Sequence, residues 1–97
     1  MQLTPEDHIA ALTRLIAGVE SVDTLMLFGS RAKGNAAPRS DIDLAVTITC
    51  DRDWWSLQEA VEEYPTLLKI DLVRLNAADD ELAGEIIRTG KVLYERG

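Results

Sequence analysis

The stretch from Leu25 to Val46, LMLFGSRAKGNAAPRSDIDLAV, decides how this chain is read. It begins inside TLMLF, residues 24–28, a short continuous apolar run that reads as a buried strand. Gly29 ends that run. Residues 30–34 suit one helical turn, and GNAAPRS, residues 34–40, has the glycine, asparagine and proline content of a loop. DIDLAVTIT, residues 41–49, then alternates as a strand does. Ile42, Leu44, Val46 and Ile48 point one way, and Asp41, Asp43, Ala45, Thr47 and Thr49 the other. Residues two apart on a strand lie about 6.5–7 Å from each other, and two ionised carboxylates there repel by roughly 2 kcal/mol at an effective dielectric of about 20. Packing alone gives a small domain no reason to keep that pair.

The rest of the chain supplies elements around this stretch. Residues 4–19 read as an amphipathic helix, with Thr4 as cap, Pro5 at the first position and Glu6 and Asp7 at the positive end of its dipole. Ile9, Leu12, Ile16 and Val19 recur at helical spacing. Residues 53–64 form a second helix, capped by Asp53 and stopped by Pro65, with Trp54 and Trp55 as core and rim packing. LLKIDLVRL, residues 67–75, is a strand with Leu68, Ile70 and Leu72 on one side and Lys69, Asp71 and Val73 on the other. Asn76 can cap a last helix over 77–89, carrying Leu82 and Ile86, and KVLYE ends the chain as a short strand or coil. These elements predict an α+β fold for residues 1–97 as a single domain. A small mixed β-sheet has its helices packed on one face and its carboxylates, Asp41, Asp43 and Asp71, on the other.

Composition narrows the setting. The net charge of −7 argues against broad nucleic-acid binding, since phosphate backbones are held by clustered Lys and Arg. The exceptions to the scattered basic residues are Arg31, Lys33 and Arg39 in the opening stretch; an acidic protein with such a basic loop suggests a small phosphorylated ligand or a basic protein partner. No apolar run approaches a membrane span, no signal peptide is evident, and the lone Cys50 forms no internal disulfide, so a cytoplasmic setting and no membrane partner are expected. His8 is expected to be solvated on the first helix.

The three carboxylates and the glycine corner complete one another chemically. A hard divalent cation such as magnesium turns the Asp41–Asp43 repulsion into a binding site and keeps waters that substrate phosphates can replace. A third carboxylate, Asp71, allows two ions about 3.5–4 Å apart, which suits in-line displacement at phosphorus. Gly29 lets the backbone turn close to an oxyanion, and N–H groups at the start of the short helix, with the Ser30 hydroxyl, can bond a terminal phosphate. Lys33 adds a positive charge one turn on, while Arg31 and Arg39 stay open between that role and plain solvation.

At this point GSRAKG followed by SDIDL resembles the signature of the nucleotidyltransferase superfamily that includes DNA polymerase beta and kanamycin nucleotidyltransferase. Gly29-Ser30, ten residues, then Asp41-x-Asp43 is the spacing of its minimal members, and the resemblance covers nearly the whole chain. It implies that Gly29, Ser30 and Lys33 bind the triphosphate of ATP and that Asp41, Asp43 and Asp71 hold two magnesium ions and form the catalytic set. Minimal members of this length are often antitoxins of HEPN-domain ribonuclease toxins. The resemblance therefore implies transfer of AMP from ATP to a tyrosine hydroxyl of such a toxin, with the partner supplying the acceptor. Two rivals remain: a non-catalytic antitoxin that neutralises its partner by complex formation, and nucleotidyl transfer to a small molecule such as an aminoglycoside. Base choice and homo- or hetero-oligomeric state stay open.

Overall fold

The N-terminal amphipathic pattern forms α1, Pro5–Ala17, in the computed structural model, which describes residues 3–96. Its start is closed by a reciprocal cap. Thr4 Oγ1 accepts the Asp7 N–H at 3.1 Å, and the Asp7 carboxylate accepts the Thr4 N–H at 3.0 Å. These bonds to Thr4 hold the Asp7 carboxyl below its ordinary value. The elements that follow are β1 (Val22–Phe28), α2 (Gly29–Lys33), β2 (Ile42–Ile48), α3 (Asp51–Glu62), β3 (Ile70–Arg74), α4 (Asp80–Thr89) and β4 (Lys91–Glu95).

The strands form one mixed sheet in the order β3-β2-β1-β4. β1 runs antiparallel to both β2 and β4, while β3 runs parallel to β2. A parallel neighbour needs a crossover, and α3 provides it. A register shift between Val22 and Thr24 puts Val22 and Leu25, three residues apart, in the same core. A bulge is the usual way to break period-two alternation like this.

That core lies on the face covered by α1 and α3. Leu12 and Ile16 of α1 and Leu57 and Val61 of α3 pack against Leu25, Leu27, Ile42, Leu44, Val46 and Ile48. The alternation read for β2 is therefore the observed one. The α+β class and mixed sheet agree with expectation, but the helices do not all share one face. Ile86 of α4 is buried with Met26 and Ala45, against Phe28, Val73 and Leu75, on the side that carries Asp43 and Asp71. Ala45 explains how: a methyl group at the centre of that face lets α4 approach.

Several local expectations are corrected. Asn76 does not cap α4. Asp79 does, accepting the Leu82 N–H at 2.8 Å, while the Asn76 amide accepts the Ile48 N–H at 3.2 Å and donates to the Ile48 carbonyl at 2.9 Å. Asp53 lies inside α3 and accepts the Ser21 hydroxyl at 2.7 Å. His8 is half-buried, its Nδ1 2.7 Å from the Tyr64 hydroxyl, with the rings edge to face. The third strand is shorter than 67–75, and KVLYE is a full strand on the sheet edge. Trp54 packs against the core and Trp55 is exposed, as the pairing suggested. Among the described residues, no helix is long and apolar enough to cross a membrane.

Candidate active site

The strand directions decide which residues meet. The end of β1 and the starts of β2 and β3 lie at one end of the sheet, because β1 is antiparallel to β2 and β3 parallel to it. Asp43 faces Phe28 across one ladder and Asp71 across the other. Asp41 stands just before β2. Each of the three aspartates can offer a carboxylate oxygen so that all three oxygens lie within 4.8 Å of one another. Asp43 and Asp71 are half-buried and Asp41 is exposed.

Such crowding has an electrostatic signature. Burial, the hydrogen bond that the protonated Asp43 carboxyl donates to Asp71 and the charges of Asp71 and Asp41 push the Asp43 carboxyl up to about 6. Lys69 opposes this from just before β3, 3.7 Å from Asp71, but does not offset it. A carboxylate held this far above its ordinary value is short of positive charge. Oxygen donors alone, close together, partly desolvated and under-neutralised, fit a hard divalent cation.

Gly29 forms the wall beside them. Its φ of +74° is left-handed, where a side chain is strained, and a Cβ there would strike Asp43 Oδ2 and lie 3.1 Å from Asp43 Cγ. The corner that sequence reading assigned to a turn is thus also a steric requirement of the neighbouring carboxylate. Ser30 follows in the first turn of α2 and Lys33 lies at its exposed far end, where Gly34 closes the helix at φ +78°. The structure brings Gly29, Asp41, Asp43 and Asp71 together, with Ser30 next in the chain and Lys33 one turn on.

Arg31 has a part that sequence reading left open. Its Nη2 donates to the Ser40 carbonyl at 2.7 Å and to the Pro38 carbonyl at 3.1 Å, and its Nε donates to Ser40 at 3.2 Å. The guanidinium thereby ties α2 to the loop that delivers Asp41. No sequence signal marks such a role, since its acceptors are backbone carbonyls that every residue carries.

The comparisons agree with this geometry. The family described as "Polymerase beta, Nucleotidyltransferase" matches residues 11–97. The chain is 36% identical over 94 residues to a "Protein adenylyltransferase MntA" of Aphanizomenon flos-aquae, covering 84% of this chain and 63% of that relative, so it spans less than two thirds of the relative's length. A chain in a crystal structure of a toxin–antitoxin with AMP-PNP is 28% identical, with a TM-score of 0.68 over 95% of this chain and 74% of that one. A chain from tri-AMPylated Shewanella oneidensis HEPN toxin in complex with MNT antitoxin is 26% identical, with a TM-score of 0.56 over 94% of this chain and 70% of that one. A family match across most of the sequence, met by a sheet that gathers its aspartates at one end, leaves a single classification: the chain belongs to the polymerase beta nucleotidyltransferase family.

Proposed function

We propose that this chain is a magnesium-dependent nucleotidyltransferase that moves AMP from ATP to a tyrosine hydroxyl of a HEPN toxin, acting as its antitoxin in the cytoplasm. The observation that carries the reading is the meeting of Asp41, Asp43 and Asp71 beside Gly29 in a member of this family. The adenylyltransferase name of the relative and the AMPylated toxin in a structural neighbour support the choice of AMP and of a protein acceptor.

Asp41 and Asp43 would be shared ligands of two ions, with Asp71 completing the site on the acceptor side. When bound, magnesium neutralises phosphate charge and acidifies an attacking hydroxyl. The chain's own contributions are positional. Gly29 and Ser30 hold the triphosphate through backbone N–H groups and the serine hydroxyl, with Lys33 as a further positive charge. The acceptor oxygen forms a bond to the α-phosphorus as the bond to pyrophosphate breaks, and Asp71 helps remove the proton. Arg31 fixes the approach of Asp41.

Incubation with a HEPN-domain toxin, magnesium and ATP radiolabelled at the α-phosphate is expected to label the HEPN protein. ATP labelled at the γ-phosphate is expected to leave it unlabelled. Labelling from the γ-position, or none from either, contradicts adenylyl transfer.

A further inference from the structure

The sheet has two open edges, and only one of them is regular. β4 forms one edge, but its pairing with β1 shifts register between Leu25 and Met26. Such a bulge discourages a further strand. β3 forms the other edge, and all five of its residues pair with β2 without a shift. The Ile42 N–H donates to the Lys69 carbonyl at 2.9 Å, which carries the ladder one residue further back. Backbone groups alternate along a strand, so Lys69, Asp71 and Val73 face β2. The N–H and carbonyl groups of Ile70 and Leu72 therefore face outward, on the side where the sheet has no further strand.

The core is unfinished along this edge. Ile42 and Leu44 of β2 are fully buried, whereas Ile70 and Leu72, their partners on β3, are only half-buried. With Leu68 they line a groove of about 340 Å³ between the strand and α3. An added strand would bond the outward groups and close the groove with its alternate side chains. Residues 68–72 read Leu-Lys-Ile-Asp-Leu, an order whose apolar positions mirror one another about Ile70 and whose charges are opposite. Laid antiparallel to a second copy about Ile70, the segment sets Leu68 opposite Leu72 and Lys69 opposite Asp71, twice over. Ile70 meets its own copy through its outward groups. Lys69 and Asp71 fall at non-hydrogen-bonded positions, where opposed residues approach most closely, about 4.5 Å between Cα atoms. Pairing about Asp71 instead would oppose two aspartates, which destabilises a sheet. The charges thus select both the occupant and the register.

We propose that two copies of this chain join along β3, antiparallel about a two-fold axis at Ile70, into one continuous sheet. Each copy then sets its Lys69 beside the other's Asp71, so each carboxylate set gains a positive charge from its neighbour. Sedimentation velocity of the full chain, without nucleotide, metal or toxin, tests this apart from the transfer reading, which stands whatever the result. The wild type is expected to dimerise with rising concentration. Lys69→Glu sets like charges opposite at both pairs and is expected to weaken the dimer by about tenfold, as is Asp71→Lys. An equimolar mixture of the two variants restores opposite charges at both pairs and is expected to dimerise again. A wild type that stays monomeric, single variants that dimerise as it does, or a mixture that does not recover overturns the proposal. Amide hydrogen exchange of the wild type gives a second reading that needs no variant. Exchange at Ile70 and Leu72 is expected to slow as concentration rises, and unchanged exchange there overturns the β3 interface even if a dimer forms.

Discussion

Gly29 and Asp43 constrain each other: one has no side chain because the other's carboxylate occupies the space where it would be. Replacing Gly29 with alanine asks a left-handed residue to carry a Cβ, at a cost of about 1–2 kcal/mol, and also displaces Asp43. Gly29→Ala is expected to lower the melting temperature and to weaken magnesium-dependent AMP-PNP binding by calorimetry. Unchanged binding would mean that the contact is incidental. Asp43 also makes the metal-free protein pH-sensitive. Its folded value, about 6, lies above the ordinary 3.8, so the folded state holds the proton longer than the unfolded chain does. Stability from this group is full below about pH 4 and is lost as pH rises through 6. A divalent cation bound there would supply the missing positive charge, so the stabilising effect of added magnesium in thermal denaturation is expected to be larger at pH 7.5 than at pH 5. Asp43→Asn, which mimics the protonated form, is expected to remove that contribution to the pH dependence.

Loops and caps between elements make the next scale. Arg31 holds the 34–41 loop by three hydrogen bonds to backbone carbonyls, and Asp41 at its end is the exposed member of the carboxylate set. Arg31→Ala is expected to speed hydrogen exchange at residues 37–41 and to weaken magnesium binding by about tenfold, as loss of a residue supporting a ligand typically does. Faster exchange with unchanged binding would show that the loop's order is irrelevant to the site. Asn76 ties the 3-10 turn after β3 to the end of β2 through both sides of the Ile48 peptide. Asn76→Ala is expected to cost about 1–3 kcal/mol in urea denaturation. Local pattern made part of this visible in sequence: the Thr4 cap, the Gly29 corner and the alternation of β2 each depend on neighbours within a few residues. Asn76 and Asp79 are both suitable caps by type, and local propensity had no means of choosing between them. The Asn76 amide meets Ile48, and only the tertiary fold brings the two together.

At the scale of the whole molecule, the site is a consequence of strand direction. An antiparallel β1 and a parallel β3 on either side of β2 put a glycine corner, an Asp-x-Asp and a third aspartate at one end of the sheet. Alternation in the sequence indicated that Asp71 shares a face with Asp43, but register is a long-range property, and only the fold shows the two opposite each other. It equally conceals that α4 covers the far part of that face, for which the small Ala45 was the available hint. Adenylyl transfer to a protein is the function proposed for these three carboxylates. The most direct test is the intact mass of the proposed HEPN acceptor after incubation with ATP, magnesium and this chain, or with its Asp41→Ala/Asp43→Ala variant. Addition of AMP is expected with the wild type and none with the variant. An unchanged mass with the wild type, or equal addition by the variant, would contradict it.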